Sequence, residues 1–147
     1  MTQEEKQLLL QDLCAMLVYG VMLNIDYYDL QGDGKLKNRD VILSYGNIGY
    51  CSDNTNWVSV KPYLRPMSNM TEEEKREFQS FFPGCFGDQW LDIEEGTIEI
   101  FECSSTMTLY LYDFERMIDW LNAHHFDYRG LIEKGLAIEA PINMYKI

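Results

Sequence analysis

Apolar residues near the start of the chain recur at the spacing of a helix. Thr2 and Glu5 precede them as a capping box, in which the hydroxyl and the carboxylate each bind a free backbone N–H. Gly20 is expected to end this helix, because glycine readily takes the left-handed conformation at a helix terminus. The apolar stripe consists of Leu9, Leu13, Met16 and Leu17, widened by Leu10 and Cys14.

The next part of the chain predicts strands joined by a turn. Residues 21–28 are rich in residues that favour strands, and a second strand is expected over residues 40–45. Residues 31–34 between them contain two glycines and an aspartate, which are typical of turns. The segment 61–66 holds two prolines, so it cannot be helical and is expected to run extended over the surface.

A second capping box, Thr71 with Glu74, predicts a helix that runs to about Phe82. Glutamates in its first turn lie at the positive end of the helix dipole, which favours this start. Residues 97–102 alternate isoleucines with acidic residues, and this pattern predicts a half-exposed strand.

Two further helices are predicted towards the end of the chain. The first ends near His124, and a short fourth helix is expected over residues 128–134, capped by Asp127 and closed by Gly135. The tail from Ala137 is expected to be irregular. The apolar face of the longer helix consists of Phe114, Met117, Ile118 and Leu121.

These elements together predict an α+β fold, with a small, mostly antiparallel sheet and three to four helices packed on one face. The chain has 147 residues, enough to bury a core without a metal or a disulfide. Aromatic residues make up 14% of it, which is typical of globular rather than disordered chains. We therefore expect one domain over residues 1–147.

The charge of the chain is strongly negative and unevenly distributed. Asp and Glu number 24 against 12 Lys and Arg, a net charge of −12 that disfavours direct nucleic-acid binding. Residues 77–115 contain no Lys or Arg and are a candidate contact surface for a basic protein. The alternative is that the negative charge serves only to keep the protein soluble. The candidate contact residues are Asp88, Asp92, Glu94, Glu95, Glu99 and Glu102.

The spacing of the cysteines and the composition of the N-terminus indicate the cellular compartment of the protein. The four cysteines are widely separated, and no Cys-x-x-Cys pair indicates a zinc or thioredoxin motif. The N-terminus lacks the segments of a secretory signal, and no apolar run is long enough for a membrane helix. We expect a cytoplasmic protein with no membrane association, whose reduced thiols pack as small core residues.

Residues 29–40 follow the spacing of a calcium-binding loop. Gly34 takes the sixth position, where such loops turn sharply, and the segment resembles the loops of dockerins and EF-hands. The flanking residues predict strands rather than helices, so a hairpin turn is the alternative. The candidate calcium ligands are Asp29, Gln31, Asp33 and Asp40.

A second candidate metal site consists of His124, His125 and Asp127. A mixed histidine and carboxylate set would suit a small metal-dependent hydrolase. Adjacent histidines on a helix point in different directions, however, and imidazoles near a helix C-terminus also bind its last carbonyl groups. The chain has no nucleophile elbow, phosphate loop or dinucleotide motif, so no catalytic residue is assigned.

Three blocks of the chain resemble a known family. They are residues 1–21, the segment KPYLRPMSNMTEEE at 61–74, and residues 118–122 leading into DYRGLIEKGLAIEAP at 127–141. Together they are similar to a family of short, uncharacterised proteins of gut anaerobic bacteria and of their mobile elements and phages. The family has no established activity, so the resemblance implies a bacterial cytoplasmic origin and no particular chemistry.

The sequence favours a non-enzymatic interaction or regulatory protein that meets a basic partner through residues 77–115. A calcium-binding module built on residues 29–40 and a small metal-dependent hydrolase are the alternatives. No cofactor other than calcium is expected, and the sequence does not indicate an oligomeric state.

Overall fold

The structure, a computed structural model, describes residues 1–49, 57–82, 91–94, 97–100 and 110–145. It divides into two compact units, Met1–Leu64 with Leu131–Ile147 and Arg65–Gly130, called the first and second unit below. The expectation of one domain stays a prediction. In chain order the elements are α1 (Gln3–Met16), β1 (Met22–Tyr28), β2 (Leu36–Ile42), β3 (Trp57–Leu64), α2 (Glu72–Gln79), β4 (Leu91–Glu94), β5 (Thr97–Ile100), α3 (Leu111–Ala123) and β6 (Ile138–Glu139).

The start and the end of α1 confirm the prediction. Thr2 Oγ1 accepts a hydrogen bond from Glu5 N at 3.2 Å, and Glu5 Oε2 accepts one from Thr2 N at 2.6 Å. After a short 3₁₀ turn the chain reaches Gly20, whose φ of 68° lies in the left-handed region. The capping box thus sets the start of α1, and the glycine ends the 3₁₀ turn that continues the helix.

The buried face of α1 includes a carboxylate that the pattern did not predict. Asp12 is only 1% exposed and shares its face with Leu9 and Met16, which are buried as predicted. Cys14 is exposed, so the expectation that its thiol packs in the core is wrong. The buried positions are spaced by three and four residues, and position 14 therefore lies on the opposite side of the helix.

Sheet pairing is mostly antiparallel. The first unit contains a four-stranded sheet of order β2-β1-β3-β6, in which only the β3–β6 pair is parallel. The second unit contains an antiparallel hairpin of β4 and β5. The predicted α+β class is confirmed. α1 packs on the sheet of the first unit, while α2 and α3 belong to the second unit.

The core of the first unit lies between α1 and one face of the sheet. β1 alternates along its length, so that Leu23 and Ile25 are buried while Asn24 between them is not. Burial of such side chains stabilises the fold by about 2 kcal/mol each. The buried cluster consists of Leu9, Leu13, Met16, Val21, Leu23, Ile25, Leu43, Leu64, Leu131, Leu136 and Ala137.

The proline segment is extended, as predicted, but it does not run over the surface. Pro62 lies within β3, which has β1 on one side and β6 on the other, and its ring is fully buried. Proline lacks the N–H that a central strand donates to its neighbour. Pairing with β6 begins only at Tyr63, one residue beyond the proline. The tail from Ala137 was expected to be irregular, and its residues in β6 correct that expectation.

Residues 128–137 form turns, so the predicted fourth helix is wrong. Gly130 and Gly135 have φ values of 66° and 69°, and such left-handed residues interrupt a helix. Leu136 N donates to Leu131 O at 2.9 Å, which closes the turn and places both side chains in the core of the first unit. Tertiary burial of the two leucines therefore outweighs the local helical pattern.

Tyr145 connects the chain end to the sheet of the first unit. Its hydroxyl accepts a hydrogen bond from Met22 N at 2.9 Å and donates one to Tyr63 O at 2.8 Å. Burial raises the pKa of Tyr145 to about 12, although the bond from Met22 acts in the opposite direction. The hydroxyl thus satisfies one backbone donor and one acceptor of two neighbouring strands.

Aromatic side chains fill the core of the second unit. α2 starts at the predicted capping box of Thr71 and Glu74, but it ends at Gln79 rather than near Phe82. Phe78 is fully buried, and its ring centroid lies 5.4 Å from that of Trp120 on α3. The buried cluster consists of Met67, Met70, Phe78, Phe82, Met117, Trp120, Leu121 and Phe126.

A bidentate ion pair fixes the start of the second unit. Arg65 Nη1 and Nη2 donate to the two carboxylate oxygens of Glu74 at 2.7 and 2.9 Å, and the two side chains are only 16% and 12% exposed. The guanidinium also lies 4.3 Å above the ring of Phe126. Burial alone would raise the pKa of Glu74, but the hydrogen bonds from Arg65 and Thr71 hold that pKa below its ordinary value.

Replacing Glu74 with Gln should lower the free energy of unfolding of the second unit by about 2–3 kcal/mol at neutral pH, because Arg65 loses its counter-charge. The lowered pKa means that Glu74 adds its full stability above the ordinary glutamate pKa of about 4.3 and loses it as the pH falls further. The difference between wild type and E74Q should therefore shrink near about pH 3.5. Urea unfolding at both pH values measures it.

The matched control for this ion pair is E72Q. Glu72 is bonded to Lys75, but its side chain is 79% exposed, so the loss should stay within about 0.5 kcal/mol. A destabilisation of E74Q that is equally large at both pH values would contradict the assignment.

Replacing Tyr145 with Phe should lower the free energy of unfolding by about 1–2 kcal/mol, because Met22 N–H and Tyr63 C=O both lose their partner. Thermal or urea unfolding followed by circular dichroism measures the change. The control is Y45F, since Tyr45 is 76% exposed and its replacement should have no effect. Equal stability of the two variants would show that the hydroxyl does not tie the strands together.

Candidate functional site

The calcium-loop segment forms a β-hairpin. β1 and β2 pair along their whole length, and the loop between them is closed by Asp29 N donating to Lys35 O at 3.1 Å. Gly34 N donates to Asp29 O at 2.9 Å, and Gly34 has a φ of 68°. β2 starts at Leu36, earlier than the predicted residue 40, so the last five positions of the loop pattern belong to a strand.

The carboxylate of Asp29 already has a cationic partner. Lys37 Nζ lies 2.5 Å from Asp29 Oδ2, and Asp33 lies farther from the same ammonium, at 3.8 Å. The hydrogen bond from Lys37 holds the pKa of Asp29 below its ordinary value, and the same contact raises the pKa of Lys37. In this arrangement the ammonium group neutralises the first of the candidate calcium ligands.

The other candidate ligands are not gathered around Asp29. Gln31 and Asp33 are exposed in the turn, whereas Asp40 lies in β2. The four steps from Leu36 to Asp40 span about 14 Å at the rise of a strand. In the part of the chain that the structure describes, no group of three His, Cys, Asp or Glu residues could hold a metal ion. Calcium binding by this segment stays a prediction.

Asp40 belongs instead to a row of polar side chains on the open face of the sheet. Asn24 Nδ2 donates to Asp40 Oδ1 at 2.8 Å, and Tyr63 OH donates to the same oxygen at 3.2 Å. Asn38 Nδ2 donates to Asn24 Oδ1 at 2.8 Å and to Asp26 Oδ1 at 2.7 Å. Burial and the negative charge of Asp40 raise the pKa of Tyr63.

Sequence reasoning missed this polar row because it placed the second strand too late. With β2 at its observed position, Asn38 and Asp40 are two residues apart and lie on the same face of the sheet. Asn38 is paired with Asp26 of β1, and Asp40 is paired with Asn24 of the same strand. The alternation of polar residues in both strands was the signal that could have revealed the row. Its carboxylates and amides bind one another, and in this way they cover the face of the sheet opposite α1.

The histidine pair takes part in the chain reversal after α3. The imidazole of His124 stacks on Trp120 with ring centroids 3.9 Å apart, and its Nδ1 lies 2.9 Å from Trp120 O. Arg65 N donates to His125 O and Asp127 N donates to Arg65 O, both at 2.8 Å. The side chains of His125 and Asp127 are buried. These contacts give the segment a structural role, and a metal-dependent hydrolase site here stays a prediction.

The structure describes three of the six candidate contact residues in the acidic stretch 77–115. Asp88, Glu95 and Glu102 lie outside the described residues. Of the other candidate contact residues, Asp92 and Glu94 lie in β4 and Glu99 lies in β5. Directly opposed residues of an antiparallel pair share a face of the hairpin. The register is Leu91 with Ile100, Asp92 with Glu99, Ile93 with Ile98 and Glu94 with Thr97.

This register separates acidic from apolar positions. Asp92, Glu94 and Glu99 take positions on one face of the hairpin, together with Thr97. The leucine and the isoleucines take positions on the other face. The hairpin is therefore amphipathic, with an acidic side that contains three of the six candidate contact residues.

α3 also presents an exposed surface within the second unit. Leu111, Phe114 and Ile118 are large apolar residues with exposures of 89%, 49% and 40%. Tyr110 and Tyr112 at its start are more than half exposed, and their rings stack at 5.5 Å. The sequence pattern groups Phe114 and Ile118 with Met117 and Leu121 on one apolar face of the helix. The apolar residues buried on α3 are instead Met117, Trp120 and Leu121, so Phe114 and Ile118 lie outside the buried face.

Comparison with known protein families, with characterised proteins and with solved structures finds no match to this chain. The resemblance of its three sequence blocks to a bacterial family stays an expectation. None of the helices among the described residues combines the length and the apolar character that crossing a membrane requires.

Titration with calcium should produce neither heat nor stabilisation at millimolar concentration, because Asp29 is paired with Lys37 and Asp40 is remote from the turn. Isothermal calorimetry and thermal unfolding of wild type and D29N measure this. Saturable heat that is present in wild type and lost in D29N would contradict this expectation and favour the calcium-loop hypothesis.

Proposed function

We propose that the protein is a non-enzymatic interaction or regulatory protein of the bacterial cytoplasm that binds a basic partner protein through residues 77–115. The resemblance to proteins of mobile elements and phages fits a regulator carried by such an element. The observation that carries the proposal is the register of β4 and β5, which places Asp92, Glu94 and Glu99 on one face of the hairpin.

Charge segregation along the chain supports an acidic contact region. The stretch 77–115 contains nine acids and no Lys or Arg. In the first unit, by contrast, Lys35, Lys37 and Arg39 stand close together in and beside β2. An acid coat that served solubility alone would need no such separation. A region of one sign attracts an oppositely charged partner and increases its association rate.

The sign of the region selects the class of partner. Nucleic acid would be repelled by it, as would a membrane surface rich in anionic lipid. A protein with clustered Lys and Arg would be attracted, and salt would weaken the attraction because the Debye length shortens. The proposal therefore requires that binding weakens as ionic strength rises.

Substituting D92N, E94Q and E99Q together should abolish capture of the partner while the fold is retained. Affinity capture from the native host, followed by mass spectrometry, should return a basic protein with wild type and release it at about 0.5 M salt. The physical reason is loss of the acidic face without a large change of side-chain shape.

The control is E4Q, E73Q and E133Q together, which removes three acids at exposed positions elsewhere in the chain and should leave capture intact. Equal loss with both variants would mean that net charge alone matters. The proposal would be contradicted if the chain captured no protein other than itself. It would also be contradicted if both variants retained the captured protein.

A further inference from the structure

The exposed apolar residues of α3 form a stripe that the described residues of the second unit leave uncovered. Leu111, Phe114 and Ile118 are spaced by three and four residues and therefore lie along one side of the helix. Met117 and Leu121 on the neighbouring side are buried in the core of the unit, so the helix is held in place while the stripe stays exposed. Exposed apolar stripes of this kind commonly mark contact sites.

We infer that this stripe receives a basic amphipathic helix of another protein, an inference that rests on the proposed function. The spacing of three and four residues is the one that a second helix fills with its own apolar residues. α3 has 13 residues and is about 20 Å long, which offers an incoming helix three successive anchor points. Tyr110 and Tyr112 add aromatic surface at one end, of the type enriched where proteins bind.

Charge complementarity indicates what covers the stripe. Glu115 and Asp119 are exposed and four residues apart, so both lie along one flank of it. The one Lys or Arg residue in α3 is Arg116. Its guanidinium lies 5.4 Å from the centroid of the Phe81 ring, on the side of the helix away from the stripe. The flank that a partner helix would meet is therefore acidic, and Lys or Arg beside the apolar residues of the partner would match it.

A second copy of the chain fits this surface less well. If two copies packed their stripes antiparallel about a two-fold axis, the flank with Glu115 and Asp119 would lie beside the same flank of the other copy. Like charges would then face each other between chains that each carry −12. A parallel arrangement would require the other flank, which Met117 and Leu121 occupy inside their own unit.

The test uses two synthetic helical peptides of about five turns. Both have leucines at spacings of three and four, and they differ only in carrying Lys or Glu on the flanking positions. Fluorescence anisotropy measures their binding to wild type, to L111S/I118S, to E115K/D119K and to the control E4K/E133K. These substitutions are at exposed positions, and circular dichroism checks that each variant keeps its fold.

Wild type and the control should bind the lysine peptide at least about tenfold more tightly than the glutamate peptide. L111S/I118S should lose about tenfold in affinity for the lysine peptide because two anchors are gone, and E115K/D119K should reverse the preference. Equal affinity for the two peptides, or a preference that E115K/D119K leaves unchanged, would overturn the inference.

Two further outcomes would also overturn it. Adsorption of wild type to phosphatidylcholine vesicles without peptide binding would assign the stripe to a lipid surface. A dimer in sedimentation that L111S/I118S abolishes would assign it to a second copy. If the hairpin variant D92N/E94Q/E99Q loses its captured protein while L111S/I118S keeps it and wild type prefers neither peptide, the proposed function stands and this inference alone fails.

Discussion

The bidentate pair between Arg65 and Glu74 is the interaction on which the second unit depends. Glu74 also closes the capping box of α2, so one carboxylate fixes both the start of that helix and the guanidinium. Through its backbone, Arg65 binds the residues on either side of Phe126, and its side chain lies over that ring. A single residue therefore connects α2 with the turn that follows α3.

The aromatic core extends this framework to the surface that we propose as functional. Phe126 lies beside Trp120, and Trp120 packs on Phe78 of α2. Because these rings fix the buried side of α3, the residues on its other side are presented to solvent in a defined arrangement. The acidic and apolar residues of the outer side can then act as a preformed surface, and little entropy is lost on ordering them.

Local signals in the sequence predicted the elements that depend on few neighbours. Both capping boxes and the stop at Gly20 need only residues within one turn, and all three were predicted correctly. Pro62 was misplaced because its burial depends on β1 and β6, which come from distant parts of the chain. The turns after Gly130 were read as a helix because their leucines are buried by the sheet rather than by a helical neighbour.

For the candidate sites too, the sequence revealed local patterns but not the features that depend on pairing between strands. The calcium spacing at residues 29–40 is a local pattern, but the start of β2 at Leu36 removes Asp40 from the loop, and only cross-strand pairing reveals this. The acidic character of residues 77–115 was readable from composition alone. Its separation from the apolar positions of the hairpin required the register of β4 and β5. The apolar face expected for α3 is only partly buried, because apolar spacing alone does not tell a buried face from an exposed one.

Hydrogen–deuterium exchange of the chain with and without its captured basic partner locates the surface that the partner covers. We expect the partner to slow exchange in β4, β5 and α3 of the second unit and to leave the hairpin of β1 and β2 unchanged. Protection confined to β1 and β2, or exchange that is identical with and without the partner, would contradict this expectation.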